Sequence, residues 1–378
     1  MRPAVGKHDD KVGRAQFMHP ALAPFTFNRT GKQARNRTVL AAMTNKQSHE
    51  NGDVSSEEVV WLEARAEGGF GIVFTAATHV EADGQGWQGA FSTAHDRHLP
   101  GLKRMADAVT AHGALAMAQL FHGGIRAPEA LTGCVPKSAS SHTVAGGITA
   151  REMTEQDILT TVKAFGEAAR RCEVAGFDGV ELHGAHGYLI SQFLGGLSNQ
   201  RKDRWGGSQT KRHSFLQAIV KEVRQSTSNE FLVGVRLSPV QASTGTVLEE
   251  ALATVDACMA MELDFLHVSC WDLHERGEIE GEARTYTEWF AQRCQGHLPL
   301  ITTGGIWNAE DAKIAMTQGG EMVGVARAAI AHPRWPDCLK TPDHTPKRPP
   351  FTANELLEAK LSPVFVDYMR RWDGFVED

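Results

Sequence analysis

Two short stretches, 301-ITTGGI-306 and 323-VGVARAAI-330, give the most specific indication of the fold of this chain. Each begins as an apolar run, which is typical of a buried strand, and the second continues into a helical pattern. In (β/α)8 barrels the loops after strands seven and eight often bind phosphate through glycine N–H groups and a helix N-terminus. The two stretches therefore favour the last two units of such a barrel. The alternative is a tight turn followed by a surface arginine.

Six further apolar runs precede these two stretches, and amphipathic helical patterns lie between most of them. Because strands that alternate with helices form a parallel sheet, and no linker or short repeat interrupts the series, we expect one closed (β/α)8 TIM barrel. A doubly wound open sheet is the less favoured alternative. The eight predicted strands are residues 39–43, 71–78, 114–121, 179–183, 231–237, 264–269, 298–303 and 322–326.

The predicted organisation is a single domain with additions at both ends. Its barrel core covers about residues 25–336, with an N-terminal tail at 1–24 and a C-terminal extension at 337–378. The segment 126–151, after the third strand, is rich in Gly, Ser and Ala and predicts a hairpin or a lid over the barrel mouth. The extension is expected to wrap the barrel or to meet a neighbouring subunit.

Composition excludes several classes of protein. A net charge of −6 over 378 residues argues against a nucleic-acid partner. The six cysteines form no CxxC pair, which argues against a zinc or iron–sulfur site and fits a reducing compartment. No run is apolar enough to span a bilayer, and the first residues lack the apolar core of a signal peptide. We therefore expect a cytoplasmic protein without a membrane partner.

Polar residues and glycines recur where the predicted strands end. In barrels of this kind the carboxyl ends of the strands surround the active site, so we expect these side chains to face one mouth. They are Thr44, Gln119, His122, His183, His186, Arg236, Thr303, Gly304, Gly305 and Arg327.

The segment 181-ELHGAHGYL-189 places two histidines three residues apart and a tyrosine just after them. A zinc site is one interpretation, but zinc usually needs a third ligand and this is not the HExxH arrangement. Two structural loop histidines are another. A third interpretation fits better: the ring N–H groups of His183 and His186 converge on one substrate oxygen, and Tyr188 gives a proton. No metal is expected.

Residues 183–208, HGAHGYLISQFLGGLSNQRKDRWGGS, resemble the signature of the old yellow enzyme family of FMN-dependent ene reductases. Similar stretches extend the resemblance from about residue 25 to about residue 336, among them RTVLAAMTNKQS, GGFGIVFTAATHV, AQLFHGG and VGVRLSP. The resemblance implies one (β/α)8 barrel with FMN at its mouth, in agreement with the strand pattern.

The resemblance also implies roles for individual residues. Thr44 would bond the flavin O4 edge, Gln119 the pyrimidine edge, and Arg236 would lie near N1 and O2. Residues expected along the ring are Ala41, Ala42, Met43 and Ala77, and those expected at the phosphate are Gly304, Gly305, Ala326 and Arg327.

The reaction implied by the resemblance has two halves. NADH or NADPH first reduces FMN. His183 and His186 then polarise the carbonyl or nitro oxygen of an electron-poor alkene, hydride reaches its β carbon, and Tyr188 protonates the α carbon. Lys46 stands where many members have a substrate-facing residue, although a solvated rim charge is the alternative. Trp87, Phe121 and Trp271 are candidates for shaping the pocket.

Other functions remain alternatives. Dienoyl-CoA reductases and amine dehydrogenases share the barrel but add a cysteine cluster and further domains, which this sequence does not show. A non-catalytic flavin-binding protein is expected to lack the histidine pair or Tyr188. A metal-dependent hydrolase requires a carboxylate-rich mouth. The resemblance further implies a homo-oligomer, a dimer or tetramer, and Arg370 and Arg371 resemble tails that reach a neighbour's site in some members.

Overall fold

The computed structural model describes residues 18–144, 146–341 and 344–377, so most of the predicted N-terminal tail lies outside the described residues. Eight parallel strands close into a barrel in which each strand pairs with its neighbours in chain order. The predicted (β/α)8 barrel is therefore confirmed. The strands are β1 (Thr38–Leu40), β2 (Ile72–His79), β3 (Leu115–Phe121), β4 (Gly179–Gly184), β5 (Leu232–Leu237), β6 (Phe265–Ser269), β7 (Leu300–Thr303) and β8 (Met322–Val325).

Helices follow the strands around the outside of the barrel. Several begin at side-chain caps: Ser55 accepts from the N–H of Glu58, and Thr154 and Asn308 open capping boxes. The labelled helices are α1 (Ser56–Glu67), α2 (Leu99–Thr110), α3 (Glu155–Ala175), α4 (Ser214–Ser226), α5 (Leu248–Met259), α6 (Tyr286–Cys294), α7 (Ala309–Thr317), α8 (Arg327–Ala331), α9 (Ala353–Glu358) and α10 (Pro363–Met369), and three further short helices lie at Glu129–Thr132, Leu189–Leu194 and Gln209–Arg212.

An apolar plug fills the amino-terminal half of the barrel. The hairpin of Phe25–Thr26 and Gln33–Ala34 closes that end, and Phe27 packs against Phe265 inside it with ring centroids 6.2 Å apart. Phe74 meets the same ring from β2 at 6.0 Å. Because described apolar side chains pack this half, the cavity for a ligand opens at the carboxyl ends of the strands.

The segment 126–151 forms a small sheet beside the mouth. His142–Thr143 and Thr149–Glu152 make the predicted hairpin, and Lys137–Ser138 adds a parallel strand to it. Lys137 ties the sheet to the loop after β2 through Glu81 and Asp83, at 3.3 and 2.9 Å. Within the described part of this segment, only Arg126 reaches the cavity at the mouth.

The C-terminal extension packs on the barrel of its own chain. The fully buried Arg65 of α1 donates to the carbonyls of Ala329 and Ile330, at 3.1 and 2.6 Å, and to that of Ala359 at 2.8 Å. Ser362 donates its backbone N–H to the side chain of Gln47 at 3.0 Å. The described extension therefore wraps the barrel, which brings residues 368–375 to its mouth.

None of the helices in the described ranges has both the length and the apolar character needed to cross a membrane.

Candidate active site

A cavity of about 1280 Å³ opens at the carboxyl ends of the barrel strands. Of the residues predicted to contact the cofactor or the substrate, Ala41 alone does not line it: β1 ends earlier than predicted, and Ala41 is fully buried with its N–H bonded to the carbonyl of Val325 at 3.0 Å. Ala41 therefore supports the wall from behind. The predicted site residues that do line the cavity are Ala42, Met43, Thr44, Lys46, Ala77, Gln119, His183, His186, Tyr188, Arg236, Gly304, Gly305, Ala326 and Arg327.

Beneath the cavity, a chain of hydrogen bonds crosses the barrel interior. Gln119 donates to Glu181 at 2.6 Å, Glu181 accepts from Nδ1 of His267 at 2.6 Å, and Nε2 of His267 lies 2.6 Å from the hydroxyl of Thr303. All four side chains are buried and come from four different strands. We call Gln119, Glu181, His267 and Thr303 the floor network.

The floor network carries one negative charge. Burial raises the pKa of Glu181, but the hydrogen bonds from His267 and Gln119 and the positive charge of Arg236 outweigh it, so its pKa lies below the usual value. Burial also lowers the pKa of His267, more than Glu181 raises it. A carboxylate and a neutral imidazole result: Nδ1–H donates to Glu181, and Nε2 accepts from Thr303. Sequence reasoning missed both residues, although a charged side chain inside an apolar strand was a usable signal.

Arg236 provides a positive charge next to this floor. Its Nη1 and Nη2 donate to the carbonyl of Ala42 at 3.1 Å and to the hydroxyl of Ser269 at 3.0 Å. Its Nε is buried and has no hydrogen-bond partner among the described residues. A buried N–H without an acceptor is costly, so this atom requires a ligand with acceptor atoms. The electron-rich pyrimidine edge of FMN has such acceptors, and the site therefore fits the cofactor that the sequence resemblance implies.

His183, His186 and Tyr188 face the same cavity. The ring of His183 lies 5.0 Å from that of His186 and 4.8 Å from that of Tyr188, measured between centroids. His186 and Gly187 both adopt left-handed backbone conformations, with φ of 58° and 72°. This tight turn after β4 brings the three side chains together, and for a non-glycine residue it costs strain that functional sites often store.

Hydrogen bonds determine which imidazole nitrogens are available. Nδ1 of His183 accepts from the N–H of Ala185 at 3.3 Å, so its proton lies on Nε2, which no described residue bonds. Nε2 of His186 lies 2.8 Å from the hydroxyl of Ser269, which already accepts from Arg236. When the hydroxyl donates to Nε2, the proton of His186 is on Nδ1.

Burial keeps all three groups neutral. It lowers the pKa of His183 well below its ordinary value and that of His186 to about 3. It raises the pKa of Tyr188, against the opposing effect of the Arg126 guanidinium. At neutral pH the site therefore presents imidazole N–H donors and a protonated phenol, without a formal charge among them.

The end of the cavity near β7 and β8 contains the predicted phosphate residues. Gly305 adopts a φ of 65°, and a Cβ on Gly304 would lie 2.9 Å from that of Cys270, so both positions favour glycine. The guanidinium of Arg327 lies 4.9 Å from the ring of Trp271. Arg348 of the extension also lines this end, which the sequence did not predict.

Aromatic residues form one wall of the site. Trp87 lines the cavity and stacks on Phe121, with ring centroids 4.9 Å apart, and Phe121 meets Tyr188 edge-on at 5.1 Å. Phe121 thus packs against Trp87 and Tyr188 but does not itself line the cavity. His122 does not line the cavity. It lies 3.2 Å from Asp83, in a cluster whose carboxylates are already matched by the ammonium of Lys137.

Cations and an aromatic ring from outside the strands form the outer end of the cavity. Lys46 and Arg371 lie 5.1 and 5.2 Å from the ring of Tyr368, and Arg126 lies 4.7 Å from the ring of Tyr188. We call Lys46, Arg126, Tyr368 and Arg371 the rim. Sequence reasoning did not identify Arg126 or Tyr368, and it associated Arg371 with a neighbouring subunit, whereas here Arg371 lines the cavity of its own chain.

Comparison with known proteins identifies similar sequences. The family model for NADH:flavin oxidoreductase / NADH oxidase matches residues 22–344. A protein of Bacillus subtilis (strain 168), named "Probable NADH-dependent flavin oxidoreductase YqiG", is 40% identical over 323 residues, which cover 84% of this chain and 86% of that protein.

Comparison with solved structures identifies the same fold. The old yellow enzyme homologue from Zymomonas mobilis superposes with a TM-score of 0.79 at 23% identity, over 92% of this chain and 99% of that one. Morphinone reductase in complex with tetrahydroNAD gives a TM-score of 0.78 at 23% identity, over 95% and 98% of the two chains.

Proposed function

Since this chain belongs to the NADH:flavin oxidoreductase / NADH oxidase family and uses FMN with NADH or NADPH, we propose that it reduces the activated C=C bond of α,β-unsaturated carbonyl or nitro compounds. The observation that carries the proposal is the convergence of His183, His186 and Tyr188 on one cavity, as neutral donors beside the residues that fit the cofactor. Bound FMN supplies hydride transfer between the nicotinamide and the alkene.

The proposed cofactor contacts divide the cavity. Arg236, through its unpartnered Nε, and Gln119 would hold the pyrimidine edge, with Thr44 near O4. The residues proposed along the ring are Ala42, Met43 and Ala77, and those proposed at the phosphate are Gly304, Gly305, Ala326 and Arg327. Glu181 holds one N–H of Gln119, which leaves the amide oxygen and the second N–H for the ring.

The histidine pair would bind the oxygen of the substrate's activating group. Nε2–H of His183 is available for this, and His186 is held through Ser269 and Arg236. As the double bond accepts hydride, negative charge moves to that oxygen. Donors already in position stabilise such charge by about 3 kcal/mol each in other enzymes.

Tyr188 would donate the proton that completes the reduction. Its raised pKa keeps the phenol protonated until carbanion character develops at the α carbon. Arg126, with its guanidinium 4.7 Å from the ring, then stabilises the phenolate that remains until water returns the proton. One hydride and one proton are added to the alkene, and NAD(P)H is oxidised to NAD(P)⁺.

The test separates the two half-reactions in the FMN-loaded enzyme without oxygen. Tyr188→Phe should leave flavin reduction by NADH or NADPH unchanged and slow flavin reoxidation by an enone by about 10²- to 10⁴-fold, the usual contribution of general acid catalysis. Stopped-flow absorbance follows both steps. Equal reoxidation rates for the variant and the wild type would remove Tyr188 as the proton donor, and protein that purifies without flavin would contradict the whole proposal.

A further inference from the structure

The charges that line the cavity are opposite in sign to the charge of the chain. The chain carries a net charge of −6, yet six cationic side chains and only three carboxylates line the cavity. Arg327 and Arg348 belong to the end near β7 and β8, and Arg236 lies next to the floor network. The other three cations, Lys46, Arg126 and Arg371, belong to the rim.

None of the three rim cations forms an ion pair with another described residue. Their nitrogens are more than 4 Å from every carboxylate in the described part of the chain. Arg371 donates to the hydroxyl of Tyr368 at 3.2 Å, and Arg126 donates to the carbonyl of His186, so each guanidinium keeps further N–H groups for a ligand. Like charges grouped at the mouth of a cleft focus a positive potential into it.

The position of Lys46 is fixed by its neighbours. Lys46 has a left-handed φ of 58°, and Gly89 packs so closely on its backbone that a Cβ there would lie 2.4 Å from the Lys46 carbonyl oxygen. Asn45 donates to the buried Glu58 at 2.7 Å, and Gln47 accepts from Ser362 at 3.0 Å. The side chains of Asn45 and Gln47 are thus buried and hydrogen-bonded, and of residues 45–47 Lys46 is the one that lines the cavity.

The cations also lie near the proposed proton donor. Arg126 is in contact with the ring of Tyr188, and the charges of Arg126 and Arg371 both lower the pKa of Tyr188. Lys46 joins the group through Tyr368, whose ring contacts both Lys46 and Arg371. An anionic group here would therefore belong to a molecule whose reacting carbon lies next to Tyr188.

We propose that Lys46, Arg126 and Arg371 form a carboxylate-binding site, so that the preferred substrates are unsaturated carbonyl compounds that carry a separate carboxylate, such as 4-oxo-2-enoates. This inference rests on the proposed function: the histidine pair binds the ketone oxygen and the rim binds the acid. Arginine binds carboxylates through paired hydrogen bonds. A site built for a charged group discriminates strongly against analogues that lack it.

The same cations suit a second oxyanion, a phosphate of NADH or NADPH, so the experiment has two arms. In the first, the FMN-loaded enzyme reduces 4-oxopent-2-enoate and its methyl ester, and kcat/KM is compared. In the second, stopped-flow measures flavin reduction by NADH, NADPH and 1-benzyl-1,4-dihydronicotinamide, which has no phosphate. Lys46→Gln, Arg371→Gln and the charge-conserving Lys46→Arg are tested with wild type in both arms.

We expect the acid to exceed the ester by about 10²-fold in kcat/KM, since a charge-assisted hydrogen bond changes such ratios by about tenfold or more. Lys46→Gln should lower kcat/KM for the acid by about tenfold, mainly through KM, and leave the ester within about twofold. Arg371→Gln should lower kcat/KM for the acid about tenfold more than that for the ester, because its charge also acts on Tyr188 in the reduction of both substrates. Lys46→Arg should retain the preference. Lys340→Gln, which removes an exposed lysine paired with Asp337 at 2.7 Å, is the charge control and should change neither substrate.

A binding measurement supports the kinetics without turnover. Calorimetric titration of the oxidised enzyme with 4-oxopentanoate and with its methyl ester should show tighter binding of the acid, reduced in Lys46→Gln and by added salt. Equal dissociation constants for acid and ester in wild type would overturn the inference. It would also be overturned if the variants slowed only the reduction of the flavin by NADH and NADPH, which carry phosphate. Failure of the proposed function looks different, because neither acid nor ester would then be reduced.

Discussion

The floor network and the rim belong to one cavity but are built in opposite ways. In the floor, Gln119, Glu181, His267 and Thr303 are buried, come from barrel strands and are joined by bonds of 2.6 Å. In the rim, Lys46, Arg126 and Arg371 come from loops and from the C-terminal extension, contact aromatic rings at 4.7 to 5.2 Å and have no carboxylate partner among the described residues. A fixed floor suits a cofactor that stays bound, and an open, charged rim suits a substrate that leaves.

Disrupting the floor network should change the free energy of unfolding more than any other substitution considered. Glu181→Ala leaves His267 and Gln119 without their acceptor in the barrel interior, and removing one partner of a buried charged network costs about 3 to 5 kcal/mol. We expect the free energy of unfolding to fall by that amount and FMN to be released more easily. Chemical denaturation and flavin fluorescence of the filtrate measure the two effects.

Glu181→Gln is the matched control for that change. It keeps the shape and one acceptor for Gln119, so it should cost less than the alanine variant. If Glu181→Ala unfolds within about 1 kcal/mol of wild type and keeps its FMN, the floor is not the coupled network that we describe.

The second prediction concerns acid stability. Burial holds the pKa of His186 at about 3, below the value of about 6.5 in the unfolded chain. The unfolded state therefore binds more protons as pH falls, so this contribution to stability is complete above about pH 6.5 and is lost progressively below it. Between pH 7 and pH 5 the free energy of unfolding should fall by about 2 kcal/mol from His186 alone.

Denaturation of His186→Asn at both pH values tests this sign, because the variant should lose about 2 kcal/mol less than wild type. Lys46→Gln, a rim variant, should lose as much as wild type. An identical pH dependence for His186→Asn and wild type would show that His186 is not buried in its neutral form.

The third prediction has the opposite sign and concerns the support beneath Lys46. Burial raises the pKa of Glu58 to about 7, which exceeds the value in the unfolded chain. Its contribution is therefore fully present below about pH 4.5 and is lost as pH rises through 7. Glu58→Gln should stabilise the protein by about 1 to 2 kcal/mol at pH 8 and by much less at pH 4.

Thermal unfolding at the two pH values measures this difference. Glu57→Gln, which removes a neighbouring carboxylate from the first turn of α1, is the matched control and should not stabilise the protein at pH 8. Destabilisation of Glu58→Gln at pH 8 would mean that Asn45 and Ser48 require the ionised carboxylate.

The smallest expected effect is on the rim. Lys46→Gln and Arg371→Gln should each change the free energy of unfolding by less than about 0.5 kcal/mol, because they remove exposed or half-buried charges without ion-pair partners among the described residues. Denaturant titration provides the number. If either variant lowered the free energy of unfolding by several kcal/mol, the rim would contribute to stability as the floor network does.

The same contrast explains what the sequence could predict. Strand residues such as Gln119 and Arg236 follow from the pattern, because the carboxyl ends of barrel strands share one mouth. The predicted strand at 39–43 included Ala41, whereas β1 ends at Leu40 and Ala41 does not line the cavity. The ends of strands depend on pairing with neighbouring strands, which local composition does not determine.

The rim could not be predicted in this way. Arg126, Tyr368 and Arg371 reach the cavity because the chain after β3 and the C-terminal extension fold back on the barrel. The hydrophobic periodicity of a sequence segment does not indicate such long-range contacts. The floor network could be predicted in part. Glu181 and His267 stand out in the sequence as polar residues in apolar strands, but the hydrogen bond between them depends on closure of the barrel.

An anaerobic single turnover shows whether the reduced flavin passes its hydride to an enone. The FMN-loaded enzyme is reduced with one equivalent of NADH and mixed with one equivalent of an enone, and flavin absorbance and product are measured together. We predict that the oxidised flavin spectrum returns as an equal amount of the saturated ketone forms. A flavin that stays reduced until oxygen is admitted, with the enone unchanged, would mean that the enzyme is not an ene reductase.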